Sequence, residues 1–157
     1  MFRELTRKNS QLSPEEAIHI LKTTKRGVLS VLSDNGFPYG MPMNHFYDDE
    51  DGCIYFHCGI GGHRSDALSQ QGKVSFCTMD DGRQDGDWAL RFRSVIVFGE
   101  MEVISEQNTV IDICEKLCLK FTDDNDYIQK EIAAHAHRTV LLKLTPLHIC
   151  GKSVLES

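Results

Sequence analysis

Cys53-Ile-Tyr-Phe-His-Cys-Gly-Ile-Gly-Gly-His-Arg-Ser65 is an apolar run that breaks into a glycine-rich turn. The run reads as a β-strand from Cys53 to Cys58. The turn delivers His63 and Arg64 to the start of an expected helix, Ser65 to Gln71. Backbone N–H groups at a helix start, a glycine at 62 that admits close approach, and a guanidinium together form a cradle for phosphate. A phosphate cradle beside a strand points to a phosphorylated cofactor.

The surrounding sequence supplies more strands. Val28 to Ser33 and Tyr39 to Tyr47 alternate or run apolar, separated by Asp34-Asn35-Gly36, a turn whose residues tolerate positive φ. Pro42 lies inside the second of these. It has no N–H for a ladder, so it marks a sheet edge, a bulge, or a place where something other than a strand lies alongside. Asp48 to Gly52 is a solvated acidic turn. Lys73 to Met79 is a further strand, and Asp80 to Asp87 a polar loop. Arg91 to Ser105 is a long strand with Gly99 as a candidate bulge. Thr139 to Leu144 is the last strand, ended by Pro146.

Helices are short and few. Ser13-Pro14-Glu15-Glu16 is a capping box with proline at the first helical position. Val110, Ile113, Cys114, Leu117, Cys118 and Phe121 share one face of a helix over Thr109 to Phe121. Tyr127 to His135 is another helical stretch. Tight turns between strands indicate an antiparallel sheet, and about six strands in one domain of this size close into a small barrel.

Composition bounds the function. The 157 residues form one domain, 41% hydrophobic and 25% charged, with a net charge of -6. No long basic cluster appears, so nucleic acid is not an expected partner. No apolar run is long enough to span a membrane and no signal-peptide pattern opens the chain, so no membrane partner and a cytoplasmic location are expected. Six cysteines, four of them in apolar runs, read as buried free thiols. Cys53, His57, Cys58 and His63 match no standard zinc spacing.

The order of these pieces resembles the pyridoxamine 5′-phosphate oxidase-like FMN-binding split-barrel family, nearest its nitroimidazole-resistance branch. The resemblance rests on Met1-Phe2-Arg3, Gly27 to Val31 with Gly36 to Tyr39, Ile54 to His57 with Gly62-His63-Arg64, Lys73 to Phe76, Arg93 to Gly99, and Gly151-Lys152. It implies a six-stranded antiparallel split β-barrel, a homodimer with FMN at the subunit interface, and a single FMN-binding domain over residues 1–157. It places Met41, Pro42, Met43 and Asn44 along the flavin ring through main-chain atoms. Phe56, His57 and Cys58 would flank the ribityl chain or ring, and Gly62, His63 and Arg64 would hold the phosphate. Ser94 would touch the ring from the partner subunit.

Each assignment has a plainer counterpart. Met41 and Met43 read as core residues or as a soft surface beside a flat ring. His57 reads as a histidine hydrogen-bonded inside the barrel or as a cofactor neighbour. Cys58 reads as a small lining residue, because no oriented base accompanies it. The tryptophan and arginine that pyridoxamine phosphate oxidases carry near their C-terminus have no counterpart in Cys150 to Ser157, so vitamin B6 oxidation does not transfer.

The implied activity is that of a flavoprotein oxidoreductase passing electrons from a reduced nicotinamide or other donor to a small acceptor such as a nitroaromatic. The alternatives are a non-catalytic flavin-binding or flavin-sensing module, and a split barrel that holds haem, through His45, His57 or His63, or a deazaflavin.

Overall fold

The computed structural model describes residues 2–60, 72–84, 86 and 88–156. The expected phosphate cradle and the helix after it lie outside the described residues. The chain begins with a 3-10 turn (Lys8–Ser10) and helix α1 (Pro14–Thr23). Strands β1 (Arg26–Leu32), β2 (Pro38–Asn44), β3 (Phe46–Tyr47) and β4 (Ile54–Gly59) follow. Then come β5 (Lys73–Met79), β6 (Arg83–Gln84) and β7 (Leu90–Ile104). Helices α2 (Gln107–Cys118) and α3 (Asn125–His135) lead through a second 3-10 turn (Ala136–Arg138) to β8 (Thr139–Glu156).

The strand order is β2-β1-β5-β7-β8-β4-β3, with β6 added to β7, and every pairing is antiparallel. β2 and β3 stand at opposite ends of that order, yet only His45 separates them in sequence. The sheet must therefore curl until its ends meet, and β2 does approach β4. The result is the expected antiparallel split barrel, with eight strands among the described residues rather than six. Part of the difference is the segment Tyr39 to Tyr47, which breaks at His45 and changes partner from β1 to β4. The rest is β6, two residues inside the expected loop that fold back on β7.

The last strand is also longer than its proline suggested. β8 runs 18 residues and pairs with the 15-residue β7 on both sides of Pro146. The register jumps here, from Phe98↔His148 to Gly99↔Pro146, so Leu147 is the extra residue of a bulge. A proline is tolerated at such a point. Gly99 is required opposite it, because a Cβ there would lie 2.2 Å from the Thr145 carbonyl oxygen.

Alternation of side chains fills the interior. Leu29, Val31, Met41, Met43, Ile54, Phe56, Val74, Phe76, Val95, Val97, Leu142 and Leu144 meet in one cluster, which Ala17, Ile20 and Leu21 of α1 complete. Full burial of side chains of this size stabilises by about 1.5–3 kcal/mol each relative to exposure. Cys53 and Tyr55 face the other way, into a second cluster with Val110, Ile113 and Leu141 beneath α2. Both faces of β4 are thus covered from Ile54 to Phe56, which is why the strand opens as an unbroken apolar run.

The helix starts follow capping chemistry. Ser13 and Glu16 exchange the reciprocal bonds of a capping box, at 2.8 Å and 3.2 Å. Glu106 accepts from Asn108 N–H (3.0 Å) and Thr109 N–H (2.7 Å), and Asp124 from Tyr127 N–H (3.0 Å). Among the described residues no helix is long and apolar enough to cross a membrane. All six cysteines are free.

Candidate functional site

The barrel's seam lies between β2 and β4, and its chemistry begins with the phase of the β1–β2 ladder. Ser33 N–H donates to the Phe37 carbonyl at 3.0 Å, which makes that pair hydrogen-bonded. Pairs along an antiparallel ladder alternate. With the observed register, Tyr39, Met41 and Met43 bond inward to β1, while Pro38, Gly40, Pro42 and Asn44 turn their main-chain groups away from it. Both prolines fall at positions where no ladder donor is needed. Among the described residues, β2 has β1 on one side and no strand on the other.

This divides the four expected ring contacts. Met41 and Met43 are buried in the core, at 2% and 6% exposure, so their thioethers pack the barrel. Pro42 is exposed and Asn44 half-buried. The seam therefore receives the backbone of Gly40, Pro42 and Asn44. Arg26 Nε donates to Asn44 Oδ1 at 2.8 Å and holds that side chain at the strand's end. Arg26 carries no local signal of this role, because its partner is 18 residues away across a turn.

β4 is divided in the same way. Phe56 and Cys58 point into the core, and Phe56 meets Phe76 edge-on at 5.1 Å between centroids. His57 is exposed on the opposite face. There it lines a cleft of about 150 Å³ with Cys114, Leu117, Ile132 and His135, under α2 and α3. His57 is accordingly not inside the barrel, and the three neighbours do not form one set. Burial, and then the neighbouring Cys118, push the Cys114 thiol in that cleft up to about 11, so it is not poised as a nucleophile. Gly62, His63 and Arg64 lie outside the described residues.

Ser94 is half-buried on the outer face of β7, with Met79 and Lys152 beside it in register. Three strand steps separate β7 from β2, about 14 Å at ~4.8 Å per step. Ser94 and Asn44 do not converge within one subunit.

The corner between β2 and β3 carries two groups whose surroundings shift them. His45 is fully buried; one ring nitrogen, Nε2, lies 2.8 Å from the Leu21 carbonyl, and its ring lies 4.7 Å from that of Phe76. The other ring nitrogen, Nδ1, has no partner. Burial, with the charge of Lys120 adding to it, lowers His45 to about 3. Lys120 is half-buried and donates to the carbonyls of Thr24 and His45, each at 2.7 Å. Burial and then the nearby Lys25 lower its ammonium to about 8.

The outer face of the sheet presents a continuous row across five strands: Pro42, Val28, Cys77, Ile96 and Cys150 are neighbours in register. Val28 and Ile96 are 41% and 40% exposed. One row over, Phe98 and His148 are paired, and Phe2 stacks on His148 with centroids 4.8 Å apart.

No curated protein sequence matches the chain. Its fold is shared with solved structures of low identity. A candidate 5-nitroimidazole antibiotic resistance protein from Bacteroides thetaiotaomicron is 17% identical, with a TM-score of 0.77 over 92% of this chain and 87% of that one. An FAD binding protein from Mycobacterium smegmatis is 18% identical, with a TM-score of 0.67 over 94% and 100%. An FAD and heme binding protein from the same organism is 22% identical, with a TM-score of 0.70 over 91% and 72%. A family model described as pyridoxamine 5′-phosphate oxidase matches residues 13–153. That match covers nearly the whole barrel, and the chain belongs to the pyridoxamine 5′-phosphate oxidase-like family.

Proposed function

We propose that this protein is an FMN-binding flavoprotein, acting as an oxidoreductase on a small-molecule acceptor. The observation that carries the reading is the outer edge of β2. Its outward peptide groups, at Gly40, Pro42 and Asn44, offer donors and a proline carbonyl where no described strand takes them up. A flat heterocycle with donors and acceptors along one edge fits such a backbone ribbon. Buried or ligand-covered backbone groups need partners, and a flavin supplies them. Hydride or electron-pair chemistry would then belong to the flavin, with the protein fixing its ring and phosphate.

The remaining parts of the site are consistent with this. Gly62, His63 and Arg64 would hold the phosphate. Ser94 would come from a second copy of the chain, because it stands three strands from β2 in its own. The apolar row through Val28 and Ile96 is the face that would pair the two subunits. Haem through His45 is not favoured, since its ring is fully enclosed and Nε2 already faces the Leu21 carbonyl. The FAD-binding neighbours leave the length of the flavin as the point to test.

The purified protein is expected to be yellow and to bind FMN. Arg64→Ala should weaken FMN far more than riboflavin. Equal losses would reject the phosphate contact, and a colourless protein that takes up no added flavin would overturn the reading. Bleaching under anaerobic NADH or NADPH separates an enzyme from a flavin-binding module.

A further inference from the structure

Two grooves at one end of the barrel share Asp80 and Asp81. One, of about 640 Å³, is lined by Thr23, Thr24, Lys25, Arg26, Met79 and Phe121. The other, of about 360 Å³, is lined by Gly82, Arg83, Arg91 and Arg93. Both volumes lie within the roughly 300–1,000 Å³ of small-molecule sites. Among the described lining residues are Lys25, Arg26, Arg91 and Arg93 beside Asp80 and Asp81, in a chain whose net charge is -6. Asp85 and Asp87 lie outside the described residues.

Asp80 accepts from Arg93 N–H and Arg93 Nε, both at 2.8 Å. Burial opposes its ionisation, but the bonds and charge of Arg93 hold its carboxyl below the usual range. Asp80 and Arg93 cancel one another. Lys25 and Arg91 are exposed, and among the described residues Lys25 pairs with no carboxylate but sits over the Phe121 ring, Nζ 5.4 Å from the centroid. Lys120, bonded to the groove-lining Thr24, adds a further positive charge. Thr78 Oγ1 fixes the wall by donating to the Arg26 carbonyl at 2.7 Å.

The larger groove holds two exposed apolar side chains, Met79 (56%) and Phe121 (41%). A flat apolar wall beside cations selects a ring that carries anionic groups. The Arg26–Asn44 hydrogen bond ties the groove to the end of β2.

We infer that the two adjoining grooves together bind a nucleotide, with its base against Phe121 and Met79 in the larger and its phosphates against Lys25 there and Arg91 in the smaller. The ligand is either the reduced nicotinamide nucleotide that feeds the flavin or the adenosine diphosphate end of FAD. The choice between these two sources rests on the flavoprotein reading; the ring-and-phosphate chemistry does not.

The test uses the protein as purified, with ADP, adenosine and pyrophosphate titrated by calorimetry. ADP is expected to bind at least about tenfold tighter than adenosine. Lys25→Gln combined with Arg91→Gln should abolish that difference, and Phe121→Ala should weaken ADP and adenosine alike. FMN affinity, read by fluorescence quenching, should be unchanged in both variants. Displacement of ADP by NADH from FMN-loaded protein assigns the groove to the donor, and displacement by FAD but not FMN assigns it to the flavin's far end. ADP binding no tighter than adenosine, full ADP affinity in the double variant, or displacement of ADP by FMN would each overturn the inference. ADP binding of the expected kind in a protein that takes up no flavin leaves the groove standing and removes the flavoprotein reading.

Discussion

Lys120 Nζ lies 2.7 Å from the carbonyl oxygen of His45, the one residue between β2 and β3. The same ammonium reaches the carbonyl of Thr24, which caps α1 just before β1. One side chain, arriving from the end of α2, thus ties together the two corners at which the chain enters the sheet and changes its edge. Main-chain carbonyls at such corners have no ladder partner, and a charged donor satisfies both.

Lys120→Met is therefore expected to destabilise the fold by about 2 kcal/mol, since hydrogen bonds to a charged group contribute roughly 1.5–3 kcal/mol and this one is half-buried. Urea unfolding measures it. A change below about 0.5 kcal/mol would show that water replaces the ammonium at both carbonyls.

His45 should make the protein acid-sensitive. Its pKa inside the fold is about 3, against 6.5 for the free side chain. The unfolded chain takes up the proton first, so stability is lost as pH falls from 6.5 toward about 3, by an amount on the order of 4 kcal/mol at the low end. His45→Gln keeps a donor toward the Leu21 carbonyl and cannot titrate. Its unfolding free energy should fall less steeply between those pH values; an unchanged slope would place the acid sensitivity elsewhere.

Gly27 is fixed by close packing at the start of β1. An added Cβ would sit 2.4 Å from Phe76 Cζ and 2.5 Å from the Cys77 carbonyl oxygen. Gly27→Ala is expected to cost about 1–3 kcal/mol through overpacking, with a fall in melting temperature as the readout. A melting temperature equal to that of the parent would mean that the Phe76 ring and β5 move aside freely.

Ile96 lies in the outer apolar row, between Cys77 and Cys150. If that face pairs two copies of the chain, Ile96→Glu buries a charge in the contact and should convert a dimer to a monomer at micromolar concentration. Sedimentation velocity distinguishes them. A dimer that persists in the variant would move the interface to another surface.

Local chemistry was legible in the residues themselves. The Ser13–Glu16 capping box and the Gly99 bulge are read from sequence because each depends on neighbours a few positions away or on the absence of a side chain. A small antiparallel barrel followed from short strands joined by tight turns, and its split form from the family resemblance. The long course of β8 did not, since Pro146 reads as a stop until Gly99 is seen to stand opposite it.

The candidate site divided along the same line. That Pro42 marks an edge, a bulge or a non-strand neighbour could be said from its missing N–H, and the structure adds which neighbours turn outward with it: Gly40 and Asn44, not Met41 and Met43. That choice depends on the phase of a ladder set at Ser33 and Phe37. His57 and Cys58 are adjacent in sequence but face opposite layers, so adjacency alone overstated their cooperation. Lys120, Arg26 and the basic grooves had no signal at all, because each arises from residues brought together across dozens of positions. Sequence determined the elements, their caps and the family, because these depend on local periodicity and motif order. Tertiary structure alone decided the seam, the outward face of each strand and the clustering of charge, because these depend on how a closed sheet aligns distant registers.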